Sequence, residues 1–307
     1  MMIKDCIKRI PGAVRLYLFL RDPVAYRNMA RVEEVSAATT KIRALCRRAN
    51  LGDTRCDRDG IWFVDDQRIE WLYDTERGVC AMGLERGREH EPEVMKLLQR
   101  LLRPGSVLID AGANVGYFSL KLARAIHGLR VYAFEPVSAT YSLLARNIAR
   151  NGLSDNIVSY QVALGERADV VRITNSLTTG NHLVDRKHKA GRTVEDAQME
   201  SLDSMVERIP VRHVDVIKCD IEGAEMQFLR GAENTLRRDR PQLIIEVERR
   251  WLARMAASPE TVFAFLTKLG YRCTPVSPCG EARGPIGRRP SELSAPSNFH
   301  CVWEGRP

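Results

Sequence analysis

The residues best suited to chemistry are two carboxylates, Asp220 and Glu222, that follow a short apolar stretch at 214–219. The stretch predicts a buried strand, so the carboxylates stand where that strand turns into a helix. Two carboxylates this close push their pKa values apart, so one can orient a ligand while the other accepts a proton from a hydroxyl. Asp220 could instead only cap the helix, and Glu222 could only suit its positive end.

A glycine-rich turn follows a second apolar stretch, at 107–110, and places Asp110, Gly112, Asn114 and Gly116 between a predicted strand and a predicted helix. Glycines at such a turn let the backbone bend sharply and approach a ligand closely. The spacing does not fit a dinucleotide loop, because Asn114 stands where that loop needs its second glycine. A tight turn used only for packing is the alternative.

Glu135 follows the next predicted strand, at 131–134. An acidic side chain at that strand end can accept hydrogen bonds from both hydroxyls of a ribose. Alone it is weak evidence, because a single acidic residue at a strand end is usually solvated. Together with the glycine turn it predicts an adenosine-type ligand.

Two further residues could act as a base on a hydroxyl. His182 stands in the polar segment TTGNH, where a substrate loop is expected, and Glu246 ends the predicted strand 243–247. A divalent ion held by Asp220 with Glu222 or Glu246 could also lower the pKa of a hydroxyl. We predict no metal, because carboxylates at strand ends are explained without one.

These residues must be positioned by alternating strands and helices. The predicted strands are 107–110, 131–134, 157–164, 214–219, 243–247, 271–276 and 298–303, and the predicted helices are 93–102, 115–126, 138–150, 224–236 and 259–269. Residues 166–203 are polar and irregular, with room for a hairpin. The alternation predicts an α/β fold with a parallel sheet between two helix layers, and ligands of such sheets bind at the carboxyl ends of the strands.

Basic charge is concentrated at the start of the chain. The protein has 307 residues and a net charge of +8, of which residues 1–48 carry +7. A nucleic-acid enzyme would usually have a basic surface around its active cleft, so we expect no nucleic-acid partner. The 1–48 segment, with helical periodicity that includes a second helix at 24–48, predicts an arm that docks an anionic membrane surface or packs on the body of the protein.

Three short β-prone runs, at 61–64, 69–73 and 79–82, follow the arm. No apolar stretch is long enough to span a bilayer or to form a signal-peptide core, so we expect a cytoplasmic protein, peripheral at the inner membrane surface if the arm binds lipid.

Eight cysteines occur without a Cys-x-x-Cys pair. A chain of this length does not need disulfides, so we expect reduced, unpaired thiols and no structural zinc.

The ordered set of these segments resembles the FkbM family of S-adenosylmethionine-dependent methyltransferases, over roughly residues 85–250. The matching stretches are EPE at Glu91, VLIDAGANVGYFSL at Val107, FEP at Phe134, VALG at Val162, SLDS at Ser201, VDVIKCDIEGAEMQFLRGA at Val214 and PQLIIEVE at Pro241. The resemblance implies a class I, Rossmann-like methyltransferase domain at 85–307, with a mostly parallel sheet of seven strands, the last antiparallel. Residues 1–84 would then form an N-terminal helical and β-hairpin extension.

The resemblance also implies a role for each matching residue. Asp110, Gly112, Asn114 and Gly116 would surround the methionine part of S-adenosylmethionine. Glu135 would hold its ribose, the Val162–Ala163 strand end would flank its adenine, and Asp220 would lie beside the cofactor or the acceptor. The family implies O-methylation of hydroxyls on sugars, glycolipids or polyketide-like small molecules, without naming the acceptor or the oligomeric state.

Three other functions fit the sequence less well. A nucleic-acid methyltransferase on the same sheet lacks the expected basic surface. A dinucleotide-dependent oxidoreductase lacks the central glycine of its loop. A non-catalytic binding module would not need the ionisable residues Asp110, Glu135, Asp220 and Glu222.

Overall fold

The computed structural model describes residues 54–57, 60–72, 89–175, 181–184, 193–277 and 297–305. The predicted basic arm at 1–48, the β-prone run at 79–82 and the predicted domain boundary after residue 84 lie outside these residues, so they stay predictions.

The described elements alternate along most of the chain. The strands are β1 (Thr54–Asp57), β2 (Gly60–Val64), β3 (Glu70–Leu72), β4 (Val107–Ala111), β5 (Arg130–Phe134), β6 (Ile157–Tyr160), β7 (Ala163–Leu164), β8 (Asp169–Thr174), β9 (Leu183–Val184), β10 (Val194–Glu200), β11 (Val216–Cys219), β12 (Gln242–Val247), β13 (Tyr271–Pro275) and β14 (Ser297–Trp303). The helices are α1 (Pro92–Leu101), α2 (Tyr117–Ala125), α3 (Ser138–Arg150), α4 (Leu202–Arg208), α5 (Glu225–Gly231), α6 (Glu233–Asp239), α7 (Arg249–Leu252) and α8 (Pro259–Lys268), with a 3-10 turn at Ala253–Met255.

A seven-stranded sheet forms the centre of the molecule, in the order β13-β14-β12-β11-β4-β5-β6. The pairs from β12 to β6 are parallel, and β14 is antiparallel to both of its neighbours. This confirms the predicted α/β class and the mostly parallel sheet with an antiparallel last strand. The strand order reverses between β4 and β11, so a crevice opens beyond the carboxyl ends of these two strands.

Alternation of side chains along each strand separates two apolar layers. One layer packs the sheet against α1, α2 and α3, and includes Leu108 and Val216. The other packs it against α4, α5, α6 and α8, and includes Ile109 and Ile217. Strand residues on both faces are buried, which is why the parallel strands are mostly apolar in the sequence, with Asp110 and Lys218 as buried charged exceptions.

Local signals set several helix ends where the sequence placed them. Helix α3 ends at Arg150 before Asn151 and Gly152, and Gly152 takes a positive φ of 64°. Helix α8 begins with Pro259 after Ser258, whose hydroxyl accepts a hydrogen bond from the backbone of Thr261 in a capping box. The predicted helix at 224–236 is wrong in one respect, because it is two short helices, α5 and α6, which meet at Ala232.

A second sheet, in the order β7-β10-β8-β9, accounts for much of the predicted irregular segment 166–203. Strands β8 and β10 pair antiparallel, as the expected hairpin would. The single predicted strand at 157–164 is wrong, because β6 joins the main sheet whereas β7 pairs with β10. Sequence periodicity cannot show which partner a short strand will find.

Cys273 and Cys301 correct the expectation that the cysteines are unpaired. They face each other on the antiparallel strands β13 and β14, with Cα atoms 4.0 Å apart, and form a disulfide. Their separation of 28 residues gives no sign of this pairing, which the strand register creates. Cys219 is a buried free thiol.

The strands β2 and β3 are attached to the main domain by a buried ion pair. The Asp65 carboxylate accepts hydrogen bonds from the backbone of Ile69 and from the Trp71 indole, at 2.9 and 3.0 Å, and lies 3.2 Å from the Lys121 ammonium of α2. Trp71 is fully buried in the same apolar layer as α1 and α2.

Among the described residues, none of the helices combines the length and the apolar character that a membrane span requires.

We expect Asp65→Ala to lower the free energy of unfolding by about 3–5 kcal/mol, because it leaves the Lys121 charge buried without its closest partner. Asp66→Ala is the matched control. Its carboxylate also lies near Lys121, at 3.3 Å, but is 66% exposed, so the loss should stay below about 1 kcal/mol. Urea denaturation measures both, and equal losses would contradict the ion-pair anchor.

Gly112 lies at a close approach between the ends of strands β4 and β11, where there is no room for a side chain. A Cβ atom on it would lie 1.8 Å from the backbone oxygen of Asp220, and its φ is 78°. We expect Gly112→Ala to cost more than about 3 kcal/mol of stability or to prevent folding, because the two strand ends would have to separate.

Gly105→Ala is the matched control for this close approach. Gly105 also has a positive φ, 83°, but a Cβ there would meet nothing within 4 Å. The loss should therefore be only the conformational cost of about 1–2 kcal/mol. Similar unfolding free energies for the two variants would contradict the contact.

Candidate active site

A cleft lies at the crevice between β4 and β11 and encloses about 900 Å³ of empty space, part of it open to solvent. Six of the residues predicted for the site line it: Gly112, Asn114, Glu135, Ala163, Asp220 and Glu222. Three others, Asp110, Gly116 and His182, do not line it among the described residues. The topology therefore brings segments more than 100 residues apart to one place.

Two non-glycine residues at the cleft have left-handed backbone. Asn114 has a φ of 51° and Glu222 a φ of 53°. Each follows one of the two central strands and lines the cleft. Such conformations cost roughly 1–3 kcal/mol and concentrate at functional sites, where the surrounding structure enforces them.

Glu135 is held rigidly at one end of the cleft. Its two carboxylate oxygens accept hydrogen bonds from the backbone N–H groups of Asn114 and Val137, both at 3.0 Å. Burial raises the pKa of Glu135 to about 7, although these hydrogen bonds favour the ionised form. The side chain is 6% exposed and faces the cleft, so its remaining lone pairs can accept hydrogen bonds from a ligand.

An apolar wall adjoins Glu135. Phe134, Val137, Val162, Ala163 and Leu164 line this part of the cleft. The predicted Val162–Ala163 pair therefore lies beside the predicted ribose-binding carboxylate, as a site for a flat apolar ring requires.

Lys218 is a buried cation in the lining of the cleft, and the sequence analysis assigned it no role. It pairs in register with Asp110 of β4, so the two side chains emerge on the same face of the sheet. Its ammonium lies 3.2 Å from the Asp220 carboxylate and 4.0 Å from that of Asp110. Burial lowers the pKa of Lys218, but Asp220, Asp110 and Glu91 raise it by more, so the side chain stays charged.

Asp110 does not line the cleft, and its carboxylate instead lies near the Lys218 ammonium. It is 1% exposed and accepts a hydrogen bond from the Ser119 hydroxyl of α2 at 2.6 Å. Burial raises the pKa of Asp110, while Lys218 opposes the shift. Gly116 is the N-cap of α2, where a Cβ would lie 2.4 Å from the Leu120 side chain. Asp110 and Gly116 therefore stabilise the turn between β4 and α2 without lining the cleft.

Asp220, Glu222 and Glu246 form a carboxylate cluster in which one oxygen of each lies within 4.8 Å of the others. Burial raises the pKa of Asp220, but Lys218 and a hydrogen bond from Glu246 lower it by more. The net shift is downward, so Asp220 is ionised. Burial and Asp220 together raise the pKa of Glu246 to about 10. Glu246 is therefore protonated near neutral pH, which makes it a donor to Asp220 and unsuited to act as a base.

Glu222 is the member of the cluster that can exchange a proton near neutral pH. Burial and then Asp220 raise the pKa of Glu222 to about 7. Glu225 stabilises the adjoining turn, because its carboxylate accepts a hydrogen bond from the Gly223 backbone at 2.9 Å. The arrangement can thus orient a ligand with Asp220 and accept a proton with Glu222.

A metal ion is a chemical alternative for this cluster. The three carboxylates are hard oxygen ligands of the kind that Mg²⁺ accepts. The Asp220 carboxylate already pairs with Lys218, however, and Glu246 already donates a hydrogen bond to it.

His182 lies outside the cleft lining although its neighbours Asn181 and Leu183 line it. Its ring packs 4.7 Å from that of Trp251, and its Nε2 lies 2.6 Å from Arg254 Nη1. An arginine can only donate, so Nε2 accepts, and the lone pair that a base would use there is engaged. The geometry favours Glu222 over His182 for proton transfer, and a catalytic role for His182 stays a prediction.

The sequence analysis did not predict the aromatic end of the cleft, formed by His90, Tyr117 and Phe118. The His90 ring lies 5.5 Å from that of Tyr117, and the Phe118 ring lies 4.8 Å from the Lys218 ammonium. Burial and the Lys218 charge lower the pKa of His90 to about 4, so its imidazole is neutral. The EPE motif at Glu91 was the available signal, because it begins next to His90.

Comparison with known proteins identifies the family of the chain. The methyltransferase FkbM domain matches residues 110–273, more than half of the chain. The chain is 32% identical to the 31-O-demethyl-FK506 methyltransferase FkbM of Streptomyces tacrolimicus, over 43% of this chain and 62% of that protein. It is 26% identical to the hexuronic acid methyltransferase AglP of Haloferax volcanii, over 48% of this chain and 58% of that protein.

The chain matches only part of the length of its curated relatives. The chain spans 58% and 62% of the length of the two proteins just named. Among solved structures, the methyltransferase FkbM of Methylobacillus flagellatus KT superposes with a TM-score of 0.45 at 17% identity, over 70% of this chain and 48% of that one.

The matched range begins at Asp110 and includes the glycine turn, Glu135 and the carboxylate cluster, and ends on β13. It thus contains both halves of the cleft that the fold assembles from separate strand ends. On this match, the chain belongs to the FkbM family of methyltransferases.

Proposed function

We propose that the protein is an S-adenosylmethionine-dependent O-methyltransferase that acts on a hydroxyl of a sugar, glycolipid or polyketide-like small molecule. One observation carries the proposal: the buried Glu135 carboxylate and the Asp220–Glu222 pair line the same cleft. The first suits a ribose, and the second suits an acceptor hydroxyl. The FK506 and hexuronic acid methyltransferases among the relatives support an oxygen or sugar acceptor.

The residues of the cleft fit S-adenosylmethionine. Glu135 would hold the ribose, and Val162 and Ala163 would flank the adenine. The turn at Gly112 and Asn114, with Asp220, would surround the methionine part. The cofactor is cationic at sulfur, and the carboxylates at this end of the cleft suit a positive charge. When bound, the cofactor supplies an electrophilic methyl group.

The protein's own contribution is to place the acceptor and to remove a proton from it. An alkyl hydroxyl is a weak nucleophile until a positioned base takes its proton. Glu222 is the candidate base, because burial and Asp220 raise its pKa to about 7. Asp220, ionised and held by Lys218, would orient the hydroxyl or the cofactor's amino group. Placing the reacting atoms about 3–3.5 Å apart supplies much of the remaining rate enhancement.

We expect Glu135→Gln to weaken S-adenosylmethionine binding by roughly 10- to 100-fold, because hydrogen bonds to a charged group contribute about 1.5–3 kcal/mol. Asp196→Asn, an exposed acidic residue on β10, is the control and should bind normally. Isothermal titration calorimetry measures both. If the wild-type protein binds NAD and not S-adenosylmethionine, the proposed function is wrong.

The pH dependence of cofactor binding gives a separate check on Glu135. Its pKa in the free protein is raised to about 7, and hydrogen bonds from ribose hydroxyls would favour the ionised form. Affinity should therefore fall as the pH drops below about 7, and binding should release a proton near pH 6.5. Calorimetry in two buffers of different ionisation enthalpy would detect this release, and Glu135→Gln should abolish it.

We expect Asp220→Asn or Glu222→Gln to lower kcat by about 100-fold or more, in line with the loss of a general base or its orienting partner. In the wild-type protein kcat/KM should rise with pH through about 7, because the base must be ionised, and Glu222→Gln should flatten the profile. Glu304→Gln, a surface carboxylate paired with Arg272 and outside both clefts, is the control.

Two results would change this assignment. Near-wild-type turnover in both variants would move the search for the base to His182. Activity that a chelator removes and magnesium restores would instead identify the carboxylates as metal ligands.

A further inference from the structure

A second cleft lies on the other side of β9 from the candidate active site and encloses about 1,090 Å³ of empty space, part of it open to solvent. Strands β8 and β9 form one wall, and residues 254–256 form the other. Leu183 lines both clefts, so the two clefts share part of one wall at this short strand. We call this second cleft the arginine groove, after Arg167, Arg172 and Arg254, which line it.

A chain of contacts connects the wall of the arginine groove to the turn that carries Glu222. Arg254 contacts His182, and the His182 ring packs on Trp251. Trp251 in turn lies so close to Gly223 that a Cβ there would approach the Trp251 backbone oxygen to 2.6 Å. The groove is therefore linked through His182 and Trp251 to the turn that holds the carboxylates proposed to act on the acceptor.

The charges in the groove favour an anion. Three arginines and two carboxylates line it, and one of the carboxylates, Glu166, pairs with Arg230 outside the lining at 3.3 Å. Within the described ranges, neither Arg167 nor Arg254 forms an ion pair with a carboxylate. Guanidinium groups present planar donors that match a carboxylate or a phosphate.

The groove also offers apolar surface beside these charges. Val170 is 45% exposed, the larger exposed fraction of the two exposed large hydrophobic residues in the described ranges. Met255 lines the opposite wall. A ligand with an anionic group attached to a carbon framework would cover this surface, whereas a free inorganic ion would not.

We propose that the arginine groove binds the acceptor through a carboxylate or phosphate group, with Arg254 and Arg167 as its partners. The acceptor is then an anionic hydroxylated molecule, such as a uronic acid or a sugar phosphate, whose hydroxyl extends past β9 to Glu222. This inference rests on the proposed function and specifies its substrate class.

Ligand-observed NMR titration tests the proposal with glucuronate, glucose 6-phosphate and glucose as probes. We expect at least one anion to bind about tenfold or more tightly than glucose, because a charge-assisted hydrogen bond contributes that much. Tighter binding of glucuronate alone would identify a carboxylate, and tighter binding of glucose 6-phosphate alone a phosphate. Equal binding of all three probes, or none of any, would overturn the inference.

Two variants locate the binding in the groove. Arg254→Gln should weaken binding of the preferred anion about tenfold. Arg167→Gln, at an exposed residue whose loss should not disturb the fold, should weaken it about threefold to fivefold. Arg237→Gln, at a surface arginine paired with Glu233 on α6, is the control and should change nothing.

S-Adenosylmethionine titration of the same proteins separates the two proposals. Normal cofactor binding in the wild-type protein with no preference for anions would overturn the anionic acceptor and leave the methyltransferase assignment intact. Anion binding that neither arginine variant weakens would place it elsewhere and also overturn the inference. Absence of cofactor binding would instead refute the proposed function.

Discussion

The site depends on the interaction of the buried Lys218 ammonium with two carboxylates. The ammonium lies near both Asp110 of β4 and Asp220 at the end of β11. A cation buried without partners would cost several kcal/mol, so the two carboxylates must stay beside it. The same pairing keeps Asp220 ionised although it is surrounded by other acids. Removing this charge would leave a cluster of carboxylates that repel each other.

The second constraint is the contact between the ends of β4 and β11. Gly112 has no side chain where the backbone oxygen of Asp220 passes, which lets the two strand ends approach closely. Both strands then turn through a left-handed residue, Asn114 in one and Glu222 in the other. The backbone N–H of Asn114 donates a hydrogen bond to Glu135, so the turn also fixes the carboxylate that is proposed to bind a ribose. Rigid backbone contacts thus align the two ends of the site.

The small sheet β7-β10-β8-β9 contributes to both clefts. It supplies the apolar residues Ala163 and Ile173 to the candidate active site and Val170 to the arginine groove. Because strands expose opposite faces with alternating residues, one hairpin can line two clefts at once. On the proposed function, variation in this hairpin and in residues 251–256 would change acceptor binding without disturbing the turn at Gly112.

The sequence by itself determined the alternating elements, the order of the motifs and the residue types at the ends of the strands. Short, mostly apolar runs identified β4, β5, β11 and β12, because parallel strands are buried on both faces. Helix α3 was placed at its observed bounds by local stop signals that do not depend on tertiary contacts. The family resemblance added a role for Asp110 that its position alone could not assign.

Only the tertiary structure decided how these residues act together. It placed His90 in the cleft, removed Asp110 and Gly116 from its surface, and engaged the His182 nitrogen with Arg254. It also paired Cys273 with Cys301 and moved β7 into a separate sheet. These outcomes depend on strand register and on burial, which arise from contacts between residues distant in the chain. The pKa values that distinguish Glu222 from Glu246 have the same origin, because desolvation and neighbouring charge exist only once the chain has folded.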